Sequence, residues 1–141
     1  MWRATLLFFL AFTFGPVAFA AGRLQVVDGW IRSAPPGAMM LAGYATLRNV
    51  GDAPLTINGA RSDAFGEVSL HETMEVDGVA HMQALGRIDI APGASVRFAP
   101  GGKHLMLMRP RGELKLGDGV KIRFSMSSGA IADADFVVRE N

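Results

Sequence analysis

The chain has 141 residues, 14 Lys and Arg against 13 Asp and Glu, 50% hydrophobic residues and no cysteine. Balanced, singly scattered charge excludes the basic stripe of a nucleic-acid binder and the polybasic patch of a membrane-surface protein. The missing thiol excludes disulfides, cysteine nucleophiles, Cys-ligated zinc and the blue-copper electron-transfer site, leaving eight methionines as the only sulfur.

The first twenty residues, MWRATLLFFLAFTFGPVAFA, read as a cleaved export leader. Arg3 supplies a positive start, Leu6 to Phe14 an apolar core, and Ala18-Phe19-Ala20 a small-x-small cleavage site. The apolar run is too short to span a bilayer, and Gly15-Pro16 interrupts it. No cysteine follows, so a lipid-anchored form is not expected. The expected product is exported, starts near Ala21, and spans 21–141 as one domain with one core.

Apolar residues of this remainder alternate rather than recur at helical spacing, and Gly and Pro punctuate them. The pattern predicts strands at 24–27, 30–33, 43–49, 54–60, 67–73, 79–85, 87–90, 95–98, 104–108, 120–126 and 132–139. Turn signals lie between them, among them Asp28-Gly29, Asp77-Gly78, Pro92-Gly93 and Gly117-Asp118-Gly119. Only 61–66 could hold a helical turn. Short strands at this spacing predict an all-β sandwich or barrel.

Two stretches carry chemistry. In HETMEVDGVAHM (71–82), Asp77-Gly78 is a preferred two-residue hairpin loop. With that loop Val76 faces Val79, Thr73 faces Met82 and His71 faces Ala84, so His71 and Met82 are diagonal neighbours on one face. Slipping the register by one residue would send Met82 to the other face. In HLMLM (104–108), the period of two puts His104, Met106 and Met108 on one side and Leu105 and Leu107 on the other. Two strand regions thus each offer a His and a Met. Two imidazoles and two thioethers are neutral ligands that suit copper(I); zinc, calcium and magnesium prefer thiolate or oxygen donors.

Bland readings compete residue by residue. A strand Met is more often core filler than a ligand, and a lone His more often structural. Met126 reads as core, His81 as pointing away from Met82, Met74 as unassigned, and Met108 as a reserve ligand or the edge of an apolar rim around the site. Met39 and Met40 fall in an apparent loop that could line the same end of a barrel. No serine sits in a Gly-x-Ser-x-Gly elbow, no carboxylates pair and no glycine-rich phosphate loop is present, so an enzyme is not expected.

The spacing His71-x10-Met82-x21-His104-x-Met106 resembles the signature of the periplasmic copper chaperones called PCu(A)C. Further resemblances are Trp30-Ile31-Arg32, Pro35-Pro36, Gly43-Tyr44, Asn49, Leu70-His71-Glu72, the run Pro100–Met106 and Gly117-Asp118. The resemblance implies a cupredoxin-like Greek-key β-barrel in the periplasm, with copper(I) on His71, Met82, His104 and Met106. It implies delivery to the dinuclear copper centre of cytochrome c oxidase subunit II or another acceptor, with Sco-type proteins as further partners. The copper(II)-binding C-terminal tail of some members has no counterpart, because no histidine follows His104. A monomer is expected, although two half-exposed ligand faces could share an ion. The alternatives are a copper buffer without a dedicated acceptor and a metal-free β-sandwich interaction module.

Overall fold

The computed structural model describes residues 15–16 and 20–141; residues 1–14 and 17–19, on which most of the expected export leader falls, lie outside the described residues. The strands are β1 (Leu24–Arg32), β2 (Met40–Asn49), β3 (Leu55–Arg61), β4 (Phe65–Val76), β5 (Val79–Ala84), β6 (Ile88–Ile90), β7 (Ser95–Phe98), β8 (Lys103–Pro110), β9 (Gly119–Met126) and β10 (Ile131–Arg139). No helix occurs among the described residues.

Seven strands close a barrel in the order β4-β8-β2-β1-β10-β9-β3, and an Ala60–Val68 pairing joins β3 back to β4. Consecutive strands pair at β1–β2, β3–β4 and β9–β10, while β4–β8, β8–β2 and β9–β3 are long-range pairings. β1 and β10 lie parallel, with Trp30 opposite Val137. This is an all-β barrel, as the alternating apolar pattern predicts, with the cupredoxin-like Greek-key form that the family resemblance implies. β5 hangs on the free edge of β4, β6 on β3, and β7 continues beyond β8 along β2.

Inward-facing residues fill the barrel, among them Ile31, Leu47, Ile57, Phe65, Leu105, Leu107, Ile122, Phe124 and Phe136, all essentially inaccessible. Each such side chain stabilises the fold by roughly 1.5–3 kcal/mol through burial. Gly43 faces inward because β2 runs close to β8 there: a Cβ would lie 3.3 Å from Leu105 Cβ and 3.4 Å from Leu107 Cδ1. Asn49 is the buried polar exception. Its Oδ1 accepts from the Arg23 and Gly51 amides, and its Nδ2 donates to the Ala53 and Ile90 carbonyls.

Three expectations are corrected. Asp28-Gly29 is not a turn between two strands but a β-bulge within β1, where three steps from Val27 to Trp30 match two from Thr46 to Tyr44. Asp28 takes a positive φ of 54° there, a conformation its short polar side chain tolerates. Residues 61–66 form no helical turn: β3 runs to Arg61, the Phe65 amide returns to the Ser62 carbonyl at 3.3 Å, and β4 begins at once. Met40 is not in a loop; it opens β2, which starts three residues before its predicted first residue because β8 extends to pair with it. Met126 is core, as expected.

Candidate metal centre

Asp77 and Gly78 both adopt positive φ, 52° and 77°, the requirement of a tight two-residue hairpin loop. The β4–β5 register follows: Val76 opposes Val79, Thr73 opposes Met82 and His71 opposes Ala84. On the other edge of β4, β8 places His104 opposite His71 and Met106 opposite Ser69. Opposed residues of an antiparallel pair share a face. Ser69, His71, Met82, His104 and Met106 therefore share the outer face, while Leu70, Leu105 and Leu107 point into the core.

His104 is the buried member, 8% exposed, whereas Met82 at the hairpin edge is 53% exposed. His71 and Met106 are half-buried. Met82, His104 and Met106 line one open cleft of about 230 Å³ together with Arg32, Met40 and Ala42. His71 does not line that cleft; its ring stacks beside His104, centroids 5.9 Å apart and planes inclined by 26°. A larger cleft of about 800 Å³, lined by Asp28, Trp30, Thr46, Arg97 and Arg139 among others, offers neither His nor Met.

The hydrogen bonds assign the nitrogens of the His104 ring. His104 Nδ1 lies 3.1 Å from the Gly102 carbonyl; a carbonyl only accepts, so Nδ1 carries the proton and Nε2 the lone pair. The same carbonyl accepts from the Thr73 amide at 3.1 Å, tying the His104 ring to β4. His71 Nε2 lies 2.9 Å from Ser69 Oγ, while its Nδ1 is buried without a partner. The serine hydroxyl can accept or donate; in the tautomer whose Nε2–H donates to Ser69, Nδ1 is the free lone pair. Burial lowers the His71 pKa below its ordinary 6.5, the facing His104 lowers it further, and Glu67 opposes both. A neutral imidazole with an orphaned nitrogen is what a metal ligand requires.

The donor set is soft. Among the described residues no three His, Asp or Glu side chains gather as a metal site, so an ion here would have to draw on methionine sulfur. Met74 pairs with His81 on the reverse face of the hairpin, and both are exposed, so neither joins the set. Arg32, Ser69 and the Gly102 carbonyl are parts of the site that sequence reasoning missed. Met40 was expected only as a loop residue that could line the same end of the barrel; its place on β2 follows from its pairing with Met108, which joins residues 68 positions apart.

The model of the LpqE-like family, described as "Putative lipoprotein LpqE-like", matches residues 24–138. A relative from Leifsonia xyli, "Putative lipoprotein Lxx21020", is 31% identical over 121 residues, covering 85% of this chain and 72% of that protein. The copper(I) form of DR1885 from Deinococcus radiodurans superposes with a TM-score of 0.65 at 28% identity, covering 82% of this chain and 79% of the other. The apo PCuAC domain of PmoF1 gives a TM-score of 0.69 at 20% identity, with 87% and 98% covered, a likeness of fold. The expected PCu(A)C resemblance thus holds at the level of the solved neighbours, while the matching family model bears another name. On the match across 24–138, the chain belongs to the LpqE-like family.

Proposed function

We propose that this protein is an exported copper(I) carrier that holds its cargo ion with His71, Met82, His104 and Met106 and passes it on in the periplasm. The observation that carries the reading is the pairing of His71 with His104 on an outer face that also presents Met82 and Met106. Two lone-pair nitrogens and two thioethers form a neutral, soft set of the kind that selects copper(I) over harder ions. The copper(I)-bound form of DR1885, an overlapping fold at 28% identity, supports the choice of ion.

Handover follows from exposure. Met82 is the most accessible of the four and is the first ligand an acceptor replaces; buried His104 is the last. Ligands exchanged one at a time keep the ion bound throughout, and no electron moves. The acceptor proposed is the dinuclear copper centre of cytochrome c oxidase subunit II, approached alone or beside Sco-type proteins.

An anaerobic titration with copper(I) against a chromogenic chelator tests the site. One tight equivalent is expected, weakened at least about tenfold by each of His71→Ala, Met82→Ala, His104→Ala and Met106→Ala, with the β-sheet circular dichroism unchanged. Binding indifferent to all four changes would sink the reading. Mixing the loaded protein with the soluble domain of subunit II tests delivery: copper appearing in the acceptor supports it, and retention by the carrier favours a buffering role.

A further inference from the structure

The outer face does not end at Met106. Two residues on lies Met108, and β8 is paired there with β2, setting Met40 opposite Met108 and Ala42 opposite Met106. Met40, Met106 and Met108 therefore occupy adjacent positions on one face, Met40 and Met108 directly opposed and Met40 diagonal to Met106. Ala42 is too small to cover Met106 from the β2 side. Met40 lines the same cleft as Met82, His104 and Met106. It is 54% exposed on a strand whose inward positions, Leu41 and Ala45, are buried, so packing does not account for a long apolar side chain there.

Resting on the carrier reading above, we infer that Met40, Met106 and Met108 form a second, all-thioether locus for copper(I), sharing Met106 with the first, onto which the ion moves during handover. Three neutral thioethers select a soft monovalent ion, and unbranched methionine side chains have the reach and flexibility to follow it. The carboxylate of Glu67, opposite Met108, is engaged by Arg109 at 3.3 Å. Arg32, which lines the shared cleft, opposes a resident cation by its charge. With no imidazole among its donors, the second locus holds copper more weakly than the first, which suits transit rather than storage. The step is pure ligand exchange: Met106 stays bound while the bonds to His71, Met82 and His104 give way to bonds to Met40 and Met108.

The protein carrying 13C-labelled methionine methyls is titrated anaerobically with copper(I) to two equivalents. The first equivalent is expected to shift Met82 and Met106; the second, Met40 and Met108. The Met40→Leu/Met108→Leu protein, of nearly unchanged side-chain volume, is expected to lose the second phase and to release copper to a chelator at least fivefold more slowly. Met39→Leu, on the opposite side of the chain from Met40, serves as the control. If Met82 and Met106 shift while Met40 and Met108 stay silent, the second locus falls and the carrier reading stands. If Met82 and Met106 are silent as well, the carrier reading itself falls. A second phase whose loss leaves the release rate unchanged would overturn the handover role.

Discussion

His71 and His104 stand directly opposite each other on β4 and β8, their rings 5.9 Å apart. Partial burial raises the cost of charging His71, and repulsion from the facing His104 adds to it. The unfolded chain, with His71 at its ordinary 6.5, therefore binds a proton more readily than the folded one. Because folding depresses this pKa, the contribution of His71 is full above pH 6.5 and is lost as pH falls through the lower folded value. Metal-free protein should accordingly lose stability to urea between pH 7.5 and 5, and His71→Gln should flatten that dependence. An equally steep loss in the variant would place the effect elsewhere.

Copper(I) affinity should fall over the same interval, since the ion competes with protons for the His71 imidazole. Competition titrations at pH 7.5 and 5.5 measure it. Affinity independent of pH would mean that His71 is not a ligand.

Ser69 Oγ fixes the His71 ring through its 2.9 Å contact with Nε2. Partners that orient a metal-binding imidazole commonly change affinity by about 10–100-fold when lost. Ser69→Ala should weaken copper(I) binding about tenfold without changing the thermal midpoint of the metal-free protein by more than a few degrees.

The Asp77-Gly78 loop sets which face Met82 occupies. One residue inserted after Gly78 should turn Met82 to the reverse face and weaken binding to the level of Met82→Ala. The barrel should tolerate the insertion, because every residue of β5 is exposed. Retained affinity would show that Met82 reaches the ion from either face.

Asn49 joins four backbone groups from three separate segments. Asn49→Ala should cost about 2–4 kcal/mol in urea unfolding, since each buried group left unpaired costs about 1–3 kcal/mol. Copper(I) affinity per folded molecule should stay the same, because Asn49 does not touch the candidate ligands.

The proposed ligands are not part of the apolar core, so the barrel should be folded without metal. Copper(I) at 1,000 times its Kd should then add about 4 kcal/mol, read as a raised unfolding midpoint. A metal-free protein without native sheet signal would contradict this.

Local pattern was enough for the sidedness of β8 and for the hairpin. The two-residue period needs only neighbours in sequence to separate His104 and Met106 from Leu105 and Leu107. Asp77-Gly78 carries its own turn geometry, so the diagonal placement of Met82 was legible from a dozen residues. The bulge at Asp28 was misread because Asp-Gly signals positive φ equally in a turn and in a bulge, and only the partner strand distinguishes them. Met40 was misread because Pro35-Pro36-Gly37 masks the start of a strand whose first residues are held only by β8.

The sequence by itself determined which side chains share a face within each strand, because chain geometry imposes that alternation wherever a strand forms. It also carried the ligand spacing, as a resemblance. Only the tertiary structure decided that β4 lies beside β8 and β8 beside β2, setting His71 against His104 and Met40 against Met108. Those pairings join residues 33 and 68 positions apart. Such long-range pairing is selected by closure of the whole barrel around Leu105, Leu107 and their neighbours, and no local stretch contains that information.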